Sequence, residues 1–182
     1  LLAVAPNATS SIICGGTSPS IEPIRANVFI HKTLNGSFQV RNRQLHNLLK
    51  QKWNNSEELQ KEYDSDYQHF KDKIWQSISE NTGSVKHLDF LTDLEKDVFK
   101  TADEIDQNWV IEHAAKRQEF ICQAQSVNLF FVAPRVQAKQ EEHDNFLRYT
   151  NKVHYQAWKK GLKSLYYLRS REGKSAENIN MK

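Results

Sequence analysis

The apolar run Leu1-Leu2-Ala3-Val4-Ala5 empties into small hydroxyl residues and glycines between Pro6 and Pro23, which predicts a strand, a turn and a short helix start. Next, Asn27–His31 and Phe38–Val40 flank Leu34-Asn35-Gly36-Ser37. Asn-Gly supplies the positive φ angles of a tight turn, so this stretch predicts a β-hairpin. Leu45, Leu48 and Leu49 fall at helical spacing over about 44–52, and Tyr63, Tyr67, Phe70, Ile74 and Ile78 do so over about 57–80. Both segments are predicted to be amphipathic helices. Asn81-Thr82-Gly83-Ser84 interrupts the pattern, and Thr92-Asp93-Leu94-Glu95 has the form of a capping box.

A helix over about 107–122 then leads into the apolar stretch Ser126–Val132, a predicted strand ended by Pro134. Phe146, Tyr149, Val153 and Ala157 form one stripe of a charged helix over about 137–160, with Gly161 as its C-terminal cap. A last strand is expected through Leu165–Leu168. Strand, long helix, strand makes a βαβ unit and a parallel pair. The polar segment Glu172–Lys182 is expected to be a mobile tail.

Composition narrows the partners rather than the fold. A net charge of +3 with 26% charged residues, acids interleaved with bases, argues against a dedicated nucleic-acid or membrane surface. No apolar stretch approaches the roughly 20 residues that span a bilayer, which predicts a soluble protein. The two cysteines, Cys14 and Cys122, lie far apart and no secretory leader opens the chain, so a cytoplasmic location is expected and the sequons at Asn7, Asn35 and Asn54 are read as chance matches. The chain has no initiator Met, which is expected of a trimmed chain or of part of a longer one.

The hydroxyl-rich loop is the first candidate for chemistry. The leading N–H groups of a helix have no internal partner, and small residues leave them accessible to an anion, so the loop reads as a phosphate cradle. The plainer reading is a helix cap built from ordinary turn residues. Tyr166-Tyr167 on a predicted strand would by itself be packing, since adjacent strand residues point to opposite faces and stack only where the strand bends or ends. Cys122, at an apolar helix end, reads as a small buried hydrophobe, and Cys14 as loop packing. His143, His154, Glu141 and Glu142 read as solvated charge on a helix face, and no metal site is expected.

Several segments, taken in order, resemble the large (alpha) subunit of class I ribonucleotide reductases. They are Pro6, Thr9, Ser10 and Ser11; Ile21-Glu22-Pro23; Gly83-Ser84-Val85; His87–Leu91; Lys96–Ala102; Ile121–Asn128; and Trp158–Tyr167. The resemblance implies the C-terminal part of a ten-stranded α/β barrel, with a β-hairpin and long amphipathic helices, over 1–171, and a flexible tail over 172–182. It implies that Pro6, Asn7, Ala8, Thr9, Ser10 and Ser11 hold the diphosphate of a ribonucleoside diphosphate. Ala8 stands where the family often has Glu or Thr, which leaves that position its N–H only. It further implies that Tyr166 and Tyr167 relay a radical between a small subunit and an active-site cysteine.

The family's Asn-x-Cys-x-Glu loop does not occur in this chain, nor does its C-terminal cysteine pair. The resemblance therefore implies a chain silent on its own, part of a split large subunit or a fragment of one. An N-terminal part of the large subunit would supply the radical cysteine, and a small (beta) subunit would generate the radical. No cofactor is expected on this chain: the radical would come from the metal-containing small subunit, and ATP or dNTP effectors would bind the N-terminal part. The rival reading is a phosphate- or nucleotide-binding α/β module without redox chemistry, with a basic stretch over Arg169–Lys174 touching nucleic acid or nucleotide.

Overall fold

A computed structural model of the chain describes residues 1–14, 20–34 and 36–172. Glu172, expected to open the tail, ends the last strand instead; the rest of the predicted tail from Gly173 onward, residues 15–19 of the loop and Asn35 of the hairpin turn lie outside the described residues. The chain divides into two compact units, one made of Leu1–Pro23 with Ala102–Lys182, the other of Ile24–Thr101.

The second unit opens with the predicted hairpin. Strands β1 (Val28–Thr33) and β2 (Gly36–Arg41) pair antiparallel, with Val28 opposite Arg41 and Thr33 opposite Gly36. Helix α2 (Arg43–Asn55) starts where the Asn42 side chain accepts the Gln44 and Leu45 amides, satisfying two donors that the helix itself cannot. The single helix expected over 57–80 is two helices, α3 (Glu57–Glu62) and α4 (Tyr67–Glu80). Asp64 and Ser65 sit at φ 53° and 58°, and the Asp66 carboxylate caps a fresh helix by accepting from Gln68 and His69. Short polar side chains tolerate the left-handed region, and hydrophobic spacing carries no trace of such a break.

The apolar faces of these helices bury Leu45, Leu49, Trp53, Phe70, Ile74 and Ile78 in one core, where the Trp53 and Phe70 rings lie 4.9 Å apart. Helix α5 (Asp93–Val98) begins with the predicted capping box: the Thr92 amide donates to Glu95 at 2.8 Å and the Glu95 amide to Thr92 at 3.3 Å. Asn27, 1% exposed, ties the unit together. Its side-chain amide donates to the Gly83 carbonyl at 2.9 Å and the Phe99 carbonyl at 2.8 Å, while its Oδ1 accepts from the Asn42 side chain at 2.9 Å. Gly83 has φ 82°, and a Cβ built there would stand 2.4 Å from the Ala26 Cβ. Only glycine fits that approach.

The first unit holds a 3-10 turn (Ala102–Glu104), α6 (Gln107–Gln118), β3 (Leu129–Ala133), α7 (Gln140–Lys159) and β4 (Leu168–Glu172). Strands β3 and β4 pair parallel, with Leu129 opposite Leu168, so β3–α7–β4 is the predicted crossover. Val153 and Ala157 of α7 pack with Val110, Ile111, Ala114, Val127, Leu129 and Phe131, and Phe146 and Tyr149 line the margin of that core. Gly161, at φ 79°, follows the helix end, where the Leu162 amide donates to the Ala157 carbonyl at 3.1 Å.

Several boundaries differ from expectation: the strand expected over Leu1–Ala5 is an isolated bridge at Val4, the strand expected from Ser126 begins at Leu129, and the helix expected from about 137 begins at Gln140. Helix α6 stops at Gln118, four residues short, because the Gln118 side chain turns back to the Ile121 and Gln123 carbonyls. The last strand begins at Leu168, three residues later than predicted. The mixed α/β class holds, but no closed barrel is seen among the described residues: they show two two-stranded sheets and one isolated parallel bridge, Val4 with Gln125. No helix among them is long and apolar enough to cross a membrane.

Candidate functional site

The hydroxyl loop is positioned by the bridged segment before it. Residues Leu2 and Val4 run parallel to the segment before β3: the Val4 amide donates to the Ala124 carbonyl at 3.3 Å, and the Gln123 and Ser126 amides donate to Leu2 and Val4, both at 2.9 Å. Pro6 and Asn7 leave that ladder, and α1 (Ala8–Ile13) follows at once. Its first i to i−4 bond runs from the Ser11 amide to the Asn7 carbonyl at 2.8 Å. The amides of Ala8, Thr9 and Ser10 thus precede the intrahelical ladder. The Ser10 side chain is exposed and Ser11 is buried. Pro6, Asn7, Ala8, Thr9, Ser10 and Ser11 are therefore gathered where that segment meets the helix.

Tyr166 and Tyr167 lie in the extended stretch before β4, not within it. Strict alternation of faces does not apply there, and the two rings stand side by side, centroids 4.1 Å apart and tilted by 50°. Each tyrosine is half exposed. Their backbone is sewn to the strand opposite: the Tyr166 amide donates to the Val127 carbonyl and the Leu129 amide to the Tyr167 carbonyl, both at 2.9 Å. The Tyr167 amide donates to Asn128 Oδ1 at 3.3 Å. The neighbouring Tyr167 phenol pushes the Tyr166 phenol above the ordinary tyrosine range. The Arg169 guanidinium sits 4.8 Å over the Tyr167 ring.

Sequence reasoning missed the groups behind this pair. Glu22, only 3% exposed, accepts the Asn128 amide at 2.5 Å and also the Ser20 hydroxyl. Burial lowers the pKa of Arg117, and the Glu22 carboxylate opposes that shift. Arg117 Nε donates to Gln125 Oε1 at 3.2 Å, and Gln125, fully buried, donates to the Ala114 carbonyl at 2.8 Å. Both motifs are visible in the sequence, at 21–23 and 121–128, but nothing in their spacing says that they meet.

Cys122 is not the buried hydrophobe its position predicted. With α6 ended early it is exposed, and its Sγ accepts the Leu2 amide at 2.8 Å. Cys14 is exposed just past α1. Among the described residues, no group of three or more His, Cys, Asp or Glu could hold a metal ion. A cleft of about 710 Å³ at the end of β3, bounded by Val132, Pro134, Phe146 and Tyr149, is lined by none of the predicted site residues.

Residues 1–168 match the family described as "Ribonucleotide reductase, barrel domain". The chain belongs to that family. It is 46% identical, over 98% of its length, to the ribonucleoside-diphosphate reductase large subunit of Invertebrate iridescent virus 6, and covers 16% of that protein. The ribonucleoside-diphosphate reductase subunit alpha of Chlamydia trachomatis is 34% identical over 97% of the chain, which covers 14% of it. A solved structure, the Actinobacillus ureae class Id ribonucleotide reductase alpha subunit, superposes with a TM-score of 0.65 at 36% identity, over 92% of this chain and 25% of that one. This member of the barrel-domain family thus spans about one sixth and one seventh of the two large subunits compared.

Proposed function

We propose that this chain supplies the substrate-diphosphate site and the tyrosine relay of a ribonucleoside-diphosphate reductase large subunit, acting within a complex that reduces ribonucleotides to deoxyribonucleotides. The observation that carries the reading is the Tyr166–Tyr167 pair, with rings 4.1 Å apart in a chain of this family. A neutral phenol becomes a neutral phenoxyl radical by giving up one electron and one proton, and its neighbour recovers its O–H by accepting both. Electrons cross several ångströms readily, but a proton moves only along a hydrogen bond, so the two hydroxyls must be adjacent. The close approach of the two rings supports that reading.

At the other end, the leading amides of α1 and the hydroxyls of Thr9, Ser10 and Ser11 would receive the diphosphate, with Pro6, Asn7 and Ala8 shaping the turn. The radical thiol and its carboxylate would come from an N-terminal part of the large subunit, and the radical from a metal-containing small subunit. ATP or dNTP effectors would bind that N-terminal part, and this chain would bind no cofactor of its own. Residues 1–172 would contribute strands to a ten-stranded barrel completed by the rest of the subunit, in the cytoplasm. The parallel strands support this, since β4 has a neighbour on one side only among the described residues, and parallel strands need cover on their remaining edges.

Tyr166→Phe and Tyr167→Phe test the relay in the reconstituted enzyme. Each is expected to abolish turnover while substrate binding and assembly persist, because Phe keeps the ring and loses only the O–H. Near-normal turnover in either variant returns that tyrosine to packing. For the diphosphate, Thr9→Val with Ser10→Ala is expected to weaken substrate binding by about 1.5–3 kcal/mol per lost charged hydrogen bond, before water compensates. Unchanged substrate affinity would remove the loop from the site.

A further inference from the structure

We infer that Glu22 and Asn128 are positioning residues for the tyrosine pair, a clamp that fixes the strand segment against which Tyr166 and Tyr167 are docked; the inference rests on the relay reading above. Asn128 works in two directions. Its backbone amide donates to the Glu22 carboxylate at 2.5 Å, and its side-chain oxygen accepts the Tyr167 amide at 3.3 Å. The flanking bonds, Tyr166 amide to Val127 carbonyl and Leu129 amide to Tyr167 carbonyl, join the same three residues to the pair. Whatever orients Asn128 therefore orients the backbone that carries both rings.

Glu22 is the group that does so. It is 3% exposed and held from its own side by the Ser20 hydroxyl, with the Arg117 cation acting on it. A carboxylate buried this deeply costs more free energy than an apolar side chain of similar volume, so filling space does not account for it. What the carboxylate provides is a directed acceptor for one backbone N–H, 106 residues away in the chain. Glu22 also stands in the Ile-Glu-Pro segment that follows the hydroxyl loop. One side chain thereby links the exit of the proposed phosphate loop to the seat of the proposed relay.

The test uses the assembled reductase with its full-length large subunit, carrying Glu22→Ala, Glu22→Gln, Asn128→Ala or, as control, Tyr167→Phe. Turnover, substrate KM and amide hydrogen exchange over residues 165–168 are measured on the same preparations. Both alanine variants are expected to lower kcat about tenfold or more while KM stays within about twofold, and to speed exchange at the Tyr167 amide. Glu22→Gln keeps an acceptor oxygen for Asn128 and is expected to restore kcat to within about threefold of the parent. If Glu22→Ala does not fold, Asn128→Ala carries the test, because it leaves the buried carboxylate and its backbone donor in place. Parental kcat in Asn128→Ala with an inactive Tyr167→Phe overturns the clamp and keeps the relay, as does a rise in KM at constant kcat. An active Tyr167→Phe removes the relay reading instead; the clamp is then decided by exchange alone, supported by faster exchange at Tyr167 and overturned by none.

Discussion

Two buried polar centres in this chain are built to different ends. Asn27, in the second unit, spends its side-chain bonds on Gly83, Phe99 and Asn42, all within the same unit. Glu22 and Asn128, in the first, form a series of bonds that ends on a half-exposed tyrosine pair. A closed polar knot makes a fold specific and rigid. An open one, ending at the surface, delivers that rigidity to groups that must stay accessible. The contrast separates a closed scaffold knot from one that ends at the proposed relay.

The strongest way to break the comparison is at Gly83. Gly83→Ala places a Cβ 2.4 Å from the Ala26 Cβ at φ 82°, and is expected to destabilise the second unit by about 3 kcal/mol or more, from backbone strain and overpacking together. Denaturant unfolding followed by tryptophan fluorescence checks it, since Trp53 and Trp75 lie in that core. Stability within experimental error of the parent would mean that Ala26 yields and the knot is not closed.

A smaller effect is expected at Tyr149, whose hydroxyl donates to Asp106 at 2.7 Å and accepts the Gln107 amide at 2.8 Å. Tyr149→Phe should cost about 1–2 kcal/mol in the first unit. Burial first, then the bond to Asp106, pushes the Tyr149 phenol up to about 12. A raised pKa gives stability that is complete below the unfolded value of about 10 and is lost as pH climbs through the folded one. Unfolding measured between those limits should therefore show an alkaline loss that Tyr149→Phe reduces. Asp106 has the opposite sign: burial pushes it up, but bonds from the Asn108 amide, Tyr149 and the Asn108 side chain outweigh that and hold it low. Its contribution is present above the ordinary aspartate pKa and falls away in acid, less steeply once Tyr149 is gone. A Phe variant that keeps the parent's alkaline limb would show that another group titrates there.

The mildest change is Thr92→Ala, which removes one half of the capping box at α5 and is expected to cost about 1 kcal/mol. A shift well beyond that in thermal unfolding would show that the box, and the Lys52–Glu95 pair at 2.8 Å beside it, belong to the knot rather than to its margin.

What was legible in the sequence follows the range of the physics involved. Helix faces such as Leu45 with Leu49 and Val153 with Ala157 are local and periodic, and the structure buries them where the period says. The Thr92–Glu95 box is local too. The break at Asp64-Ser65 escaped because backbone handedness leaves no mark on hydrophobic spacing. Cys122 escaped because a single side chain, Gln118, ended the helix before reaching it. The tyrosines were visible as a pair through a family motif, whereas their juxtaposition depends on where pairing to β3 begins. Glu22 and Asn128 could not be connected at all, since a contact across 106 residues has no periodicity to read.

The interleaving of the two units also sets an order of events. Residues 24–101 are continuous and lie between the two pieces of the first unit. During synthesis they can complete their core while the Leu1–Ala5 segment waits for its neighbour: the Leu2 amide and Cys122 Sγ that meet across it are 120 residues apart. At roughly 5–20 residues per second that delay is about 6–24 s, an age beside hairpin or helix formation. Throughout it, that apolar segment lacks the partner it pairs with at 123–126. Pairing of that segment with 123–126 is a high-contact-order step, and the hydroxyl loop, which hangs directly from it, is seated only once that pairing forms.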